Sequence, residues 1–306
     1  MEMIELQIQI FLLAVVGFVL GKKNILNMET KDHLVDVILM VVLPCSILES
    51  FEMELSPEIL VSTLNVLLIS CGIQVFYWIW NHIFYRKAEE GRRICLKYAT
   101  MVSNAGFIGM PVAAAVYGSL GLLYASVFLL PQRIFMWSYG LSMFTTVSSR
   151  EVVKKVLTHP CIIAVFLGLV IMICYTSGIY LPSALSDTIG QIGGCSTALS
   201  MMLIGAILSD VEPKEMLNKD ALIYSFYRLL LIPFLVGLLL WKLPLDSTSV
   251  RVSVLLTAMP AASTTVMLAE KYHRDYRFAS ELIMTSTILS LVTIPVVAFV
   301  LNSVPF

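Results

Sequence analysis

Charged side chains are scarce: Asp, Glu, Lys and Arg make up 13% of 306 residues, while 58% are hydrophobic and mean hydropathy is +0.87. A soluble domain carries about a quarter charged residues, so this composition excludes that class. The net charge of -1 says nothing of partners, because in a membrane protein the placement of charge matters more than its sum. Cysteine chemistry is also missing. The six cysteines (Cys45, Cys71, Cys95, Cys161, Cys174 and Cys195) lie in or beside apolar runs, with no C-x-x-C spacing and no cysteine-histidine cluster. The four histidines, His33, His82, His159 and His273, sit near the ends of apolar runs. No H-E-x-x-H, P-loop or nucleophile elbow occurs. The reading from these absences is no metal, no cofactor, no enzyme and no nucleic-acid partner. The opening residues up to Glu5 lack a basic segment, so no removable signal peptide is expected. Linkers and long hydrophilic loops are absent too, and one integral domain over residues 1–306 is expected.

What is present is a succession of apolar runs. Ten are long enough for a hydrocarbon core of about 30 Å, which takes roughly 20 helical residues. They run over 4–21, 33–51, 60–84, 94–117, 120–146, 159–175, 184–208, 221–241, 250–269 and 278–301. Nearly all the Lys and Arg residues follow odd-numbered runs, for example Lys22 and Lys23, Arg86 and Lys87, Arg92 and Arg93, Lys154 and Lys155, and Lys214. The positive-inside rule then puts both termini outside the cytoplasm. Asp36, Glu49, Asp187 and Asp210 fall near run ends, where water is within reach.

The fourth run carries Ser103-Asn-Ala-Gly-Phe-Ile-Gly-Met-Pro111, and Asn104, Gly106, Gly109 and Pro111 all weaken a helix there. Freed backbone groups cannot face lipid, so this segment must be packed in protein or line a wet cavity, as in the broken helices of secondary transporters. Met259-Pro260 in the ninth run echoes Met110-Pro111, and Leu13 to Gly17 echoes Ala164 to Gly168. Two five-span halves, residues 1–150 and 151–306, enter the membrane from opposite sides because five is odd, which makes an inverted repeat. The two Met-Pro sites are expected to mark unwound segments that meet at mid-membrane.

Asn104-Ala-Gly-Phe-Ile-Gly-Met-Pro111 with Tyr117-Gly118, Ala258-Met-Pro260 leading to Thr264-Thr265 and Leu268 to Tyr272, and Ser286 to Ser290 with Pro295 resemble the auxin efflux carrier (PIN-like) family, in its compact bacterial form. The resemblance implies an all-α integral membrane fold like that of the bile acid and sodium/proton antiporter group. There, ten helices form two inverted repeats, spans four and nine break and cross, and spans one, two, six and seven form a panel while the rest move. It also implies a substrate class, small organic anions such as carboxylates, and a site lined by Asn104, Pro111, Pro260 and Thr264. Thr264 departs from the Asn expected there. The implied partners are the anion and the lipid bilayer of a bacterial inner membrane, and a homodimer is compatible with this.

Each polar residue has a plainer reading. Ser103, Asn104, Ser263, Thr264 and Thr265 also suit interhelical hydrogen bonding, and Gly190, Gly194 and Ala198 recur as a close-packing face. Arg133 lies roughly 20 Å from either end of the fifth run, beyond easy snorkelling. It needs a partner. Candidates are a substrate carboxylate, with Gln132 helping to orient it, carbonyls freed at either break, or Asp187. The functional reading is a secondary transporter working by alternating access; a ligand-binding membrane sensor is the alternative.

Overall fold

The computed structural model describes residues 2–86, 88–145, 148–209 and 218–304; Lys87, Thr146, Asp210 and Lys214 lie outside the described residues. In chain order the helices are α1 (Glu2–Lys22), α2 (Met28–Val37), α3 (Leu43–Ser50), α4 (Pro57–Phe84), α5 (Glu90–Met101), α6 (Met110–Phe135), α7 (Ser149–Leu157), α8 (Pro160–Thr176), α9 (Ser183–Gly194), α10 (Ser196–Leu208), α11 (Lys219–Phe226), α12 (Ile232–Leu240), α13 (Ser247–Thr257), α14 (Thr264–Lys271) and α15 (Tyr276–Ser303). Among the described residues there is no strand, only one isolated bridge.

Among the described residues, six helical stretches are long and apolar enough to cross a membrane: Met28–Ser50, Pro57–Phe84, Ala105–Gly140, Ser183–Leu208, Lys219–Leu240 and Tyr276–Ser303. A seventh is the pair Arg150–Leu157 and Pro160–Thr176, bent by 60°. Large apolar side chains such as Leu68, Phe166, Leu167 and Leu239 are exposed along them. Water would not tolerate so much bare apolar surface, and lipid does. The expected fourth and fifth runs share Ala105–Gly140, which Gly118 divides by adopting φ 65° and ψ -156°. Side chains rarely adopt that conformation, so glycine is the residue for the corner.

Three prolines inside these stretches, Pro44, Pro111 and Pro233, follow wider turns, while Pro131 and Pro295 sit within α-helix. π-helical turns at Ile38–Val42, Ala105–Gly109 and Tyr227–Leu231 directly precede Leu43-Pro44, Met110-Pro111 and Ile232-Pro233. A proline ring clashes with the carbonyl four residues back, and a π turn moves that carbonyl aside because its bonds reach five residues back. Pro111 therefore sits in continuous helix, one turn beyond the break that its position was expected to mark.

Two compact units partition the chain: Met1–Leu64, Met110–Val127 and Leu157–Val211 in the first, and Asn65–Gly109, Phe128–Val156 and Glu212–Phe306 in the second. In the first, α1 packs along α10 almost backbone to backbone. A Cβ on Gly17 would come within 1.9 Å of the Met202 carbonyl oxygen, and one on Gly205 within 1.8 Å of that of Ala14. Gly168 on α8 packs less tightly, on the side chain of Phe51 at the end of α3, where a Cβ would come within 2.7 Å of the ring. The expected Gly190/Gly194/Ala198 face is not the tight one. Gly194 faces open space, and its neighbour Gly193 meets the Ser46 backbone instead.

In the second unit, α15 packs against α11, α13, α14 and α5, burying Tyr224, Leu255, Leu256, Phe278 and Leu282. Arg92 ties the start of α5 to Asp220 at 3.2 Å and to Asp275 at 3.5 Å, where α11 and α15 begin. Its guanidinium also lies over the Phe278 ring.

Candidate functional site

Both α5 and α13 stop where the chain becomes extended, and the two stops cross within the second unit. Val102 has φ -119° and ψ 102°, and Ser103 pairs with Ala261 as an antiparallel bridge. The Asn104 N–H donates to the Pro260 carbonyl at 2.8 Å, and the Ala262 N–H donates to the Val102 carbonyl at 3.3 Å. Each unwound segment thus satisfies the other's backbone, which lipid would leave unpaired at several kcal/mol per group. Pro260 has no N–H to satisfy and offers only its carbonyl, so it fits this place.

Side chains lock the crossing from both sides. The Gln132 amide donates to the Ser103 carbonyl at 2.9 Å and accepts from the Ser103 hydroxyl at 3.0 Å. Ser286 of α15 accepts from the Ala261 N–H at 3.2 Å. Arg228, 1% exposed, reaches the carbonyl ends of both broken helices: Nε donates to Met259 and Nη1 to Thr100, each at 3.0 Å. Its guanidinium lies 4.8 Å from the Tyr77 ring centre. A cation at two helix C-termini meets their negative dipole ends, and the carbonyls receive the donors that the broken helices no longer supply.

On the other side of the crossing two half-helices begin, one at Ala105 and one at Thr264, so their positive ends start beside the bridge. Arg133 is there too. It is 6% exposed, its Nη1 has no hydrogen-bond partner, and a Cβ built on Gly106 would lie 3.8 Å from its Nη2. Among the described residues Arg133 forms no ion pair, with Asp187 or any other acid. The half-buried Asn104 amide makes no hydrogen bond either. Thr264 accepts from the Tyr98 hydroxyl at 3.3 Å, Thr265 is buried with its hydroxyl unpaired, and Ser263 is exposed. The region offers positive charge and free donors with no protein anion to receive them.

Of the residues expected from sequence, the structure gathers Ser103, Asn104, Gln132, Arg133 and Pro260 at the crossing, with Ser263, Thr264 and Thr265 just beyond it. Pro111 is not among them. It belongs to the first unit, where its carbonyl accepts from the Thr197 hydroxyl at 3.4 Å. Sequence reasoning passed over Arg228 and Gln74, and took Ser286 only as part of the motif of the tenth run. The burial rule used for Arg133 applies equally to Arg228 and would have found it. Gln74 on α4 is fully buried and neither end of its amide has a partner. Asn81, seven residues later, donates to the Lys97 carbonyl at 2.9 Å. Gln74 lies in the same compact unit as the crossing.

Comparison with known proteins agrees with a chain of apolar, membrane-capable helices. The profile of the membrane transport protein family matches residues 2–155 and 143–298. An uncharacterized transporter of Methanothermobacter thermautotrophicus is 27% identical over 307 residues, covering 97% of this chain and 98% of the relative. The uncharacterized transporter MJ1031 of Methanocaldococcus jannaschii is 23% identical, with 95% and 96% covered. The uncharacterized transporter YfdV of Escherichia coli K12 is 22% identical over 249 residues, with 78% and 77% covered. Since the profile spans nearly the whole chain, this protein belongs to the membrane transport protein family and is a multi-pass membrane protein.

Proposed function

We propose that the protein is a secondary transporter of small organic anions, carboxylates first among them, and that it works by alternating access. The observation that carries this is Arg133: a buried guanidinium with an unpaired nitrogen, beside the start of a half-helix and without a protein carboxylate. Removing an Arg from water costs several kcal/mol unless a counter-charge arrives, so the site is built for an anion that comes and goes. A planar guanidinium holds a carboxylate through two parallel hydrogen bonds. Asn104, Ser263, Thr264 and Thr265 supply neutral donors around it, and Gln132 and Ser103 fix the backbone that positions it.

The architecture in this reading is ten spans in two inverted repeats, 1–150 and 151–306. Paired contacts within each unit support it. In the first, Gly17 of span one packs on span seven and Gly168 of span six packs at the end of span two. In the second, Gln132 of span five holds Ser103 and Ser286 of span ten holds Ala261. Each partner is the other's counterpart five spans on. The grouping of α1–α3 with α8–α10 supports a panel, and that of α5 with α11–α15 a moving unit, with Met110–Val127 falling on the panel side. The reading places the protein in a cell membrane with its basic loops in the cytoplasm.

Reconstituted protein in vesicles preloaded with a carboxylic acid should exchange labelled acid across the bilayer. Binding without exchange would make the protein a sensor, and a changed compound would make it an enzyme. The acid is found by thermal shift, since a ligand at 100 times its Kd adds about 2.7 kcal/mol of apparent stability.

A further inference from the structure

A second cationic site lies away from the crossing. His82, Arg86, Arg93 and Lys97 line a cavity of about 310 Å³, with no acidic residue in its wall. Arg93 and Lys97 are a like-charged pair four residues apart on α5, and Arg86 stands just past the end of α4. The bond from Asn81 to the Lys97 carbonyl, one residue from His82, pins the two segments together at this point. Like charges at that spacing repel along a helix, and here a third cation joins them. Glu89 and Glu90, the acids nearest in sequence, form no ion pair with them among the described residues. Arg92, next to Arg93, engages both Asp220 and Asp275, and among the described residues none of the four lining groups forms an ion pair.

The depth of the cavity identifies what fills it. The Trp78 ring lies 5.0 Å from that of His82, and Trp residues favour the level of lipid headgroups. Trp78 is 44% exposed, and Ile79 and Ile83, at 46% and 62%, continue an apolar stripe up to the cavity. A ligand here has chains for the stripe and an anion for the cavity. We propose that these four residues bind the phosphate of an acidic phospholipid, with its acyl chains along Ile79 and Ile83. Two guanidinium forks and an ammonium suit phosphate oxygens, and basic pockets beside membrane helices take such headgroups. This site is independent of the transport reading.

The test is native mass spectrometry of the full-length protein released from nanodiscs of equal phosphatidylcholine and phosphatidylglycerol. Wild type should retain phosphatidylglycerol preferentially, and Arg93→Gln/Lys97→Gln should lose about fivefold in preference per removed charge. Lys22→Gln/Lys23→Gln, which removes the same charge elsewhere, should retain it. Equal loss in both double variants overturns the proposal, because the preference would then belong to diffuse charge. If Arg93→Gln/Lys97→Gln does not fold, Arg86→Gln, in an exposed turn, takes its place, and an unchanged preference there overturns it. Inorganic phosphate supplies the last arm. Stabilisation by millimolar phosphate that phosphatidylglycerol fails to displace would assign the cavity to a soluble phosphate and overturn the lipid assignment.

Discussion

Arg228 and Arg133 are the same residue type, equally withdrawn from solvent, in the same compact unit and beside the same pair of broken helices, yet one is saturated and the other is not. Arg228 meets the ends of two helices that stop, where carbonyls need donors. Arg133 stands beside a helix that starts, where the backbone offers N–H groups and positive dipole, so the protein cannot satisfy it. The polarity of the helix end decides which arginine the backbone saturates and which keeps an unpaired nitrogen. A broken helix pair thus makes two unlike environments from one kind of interruption.

The largest effect expected from this contrast is on Arg228. Arg228→Met leaves the Thr100 and Met259 carbonyls without donors, at about 1–3 kcal/mol each, and the yield of monodisperse protein should collapse. Normal yield and melting temperature would remove its structural role. Arg133→Gln should do the opposite, leaving melting temperature nearly unchanged while weakening binding of the anion on the order of 100-fold, for two lost charge-assisted hydrogen bonds. Arg133→Lys should recover part of that, because it keeps the charge but not the fork. Loss of folded protein in both Arg133 variants would place the two arginines in one class and end the comparison.

Smaller effects sharpen it. Gln132→Leu removes the donor to the Ser103 carbonyl and should cost about 1–2 kcal/mol of stability together with binding, since the backbone beside Arg133 loosens. An unaltered melting temperature would show the clamp to be idle. Gln74→Leu should be the mildest, neutral or slightly stabilising by up to about 1 kcal/mol, because a buried amide without partners gains from replacement by an apolar side chain. If melting temperature instead falls by several degrees, Gln74 has a structural partner and is no part of the site.

Much of this was legible in the sequence. Period and length gave the apolar helices, and Asn104, Gly106 and Pro260 marked the two breaks because each weakens a helix by itself. Pro111 misled, since the π turn before it absorbs the clash, and such turns leave no local signature. The tight glycine face was misassigned for a related reason. Counting in fours from Gly190 assumes one helix through Ala198, but α9 ends at Gly194 and α10 begins at Ser196, which shifts the register. The rule applied to Arg133 would have marked Arg228 as needing partners, but not which ones, because its acceptors are backbone carbonyls, anonymous in sequence. Gln74 looked like one polar residue in a long apolar run, and only its packing shows that nothing answers it.

The reach of Arg228 also sets an order of events during synthesis. One acceptor, Thr100, is made 128 residues before it, and the other, Met259, 31 residues after it. As the helix bearing Arg228 leaves the ribosome, Tyr77 and Thr100 have preceded it and Met259 is still behind it. A lone mid-bilayer Arg costs at least about 2.5 kcal/mol even on the most lenient scale. The earlier half of the chain therefore acts as a chaperone for the later half, holding a charge until the segment after α13 arrives to close around it.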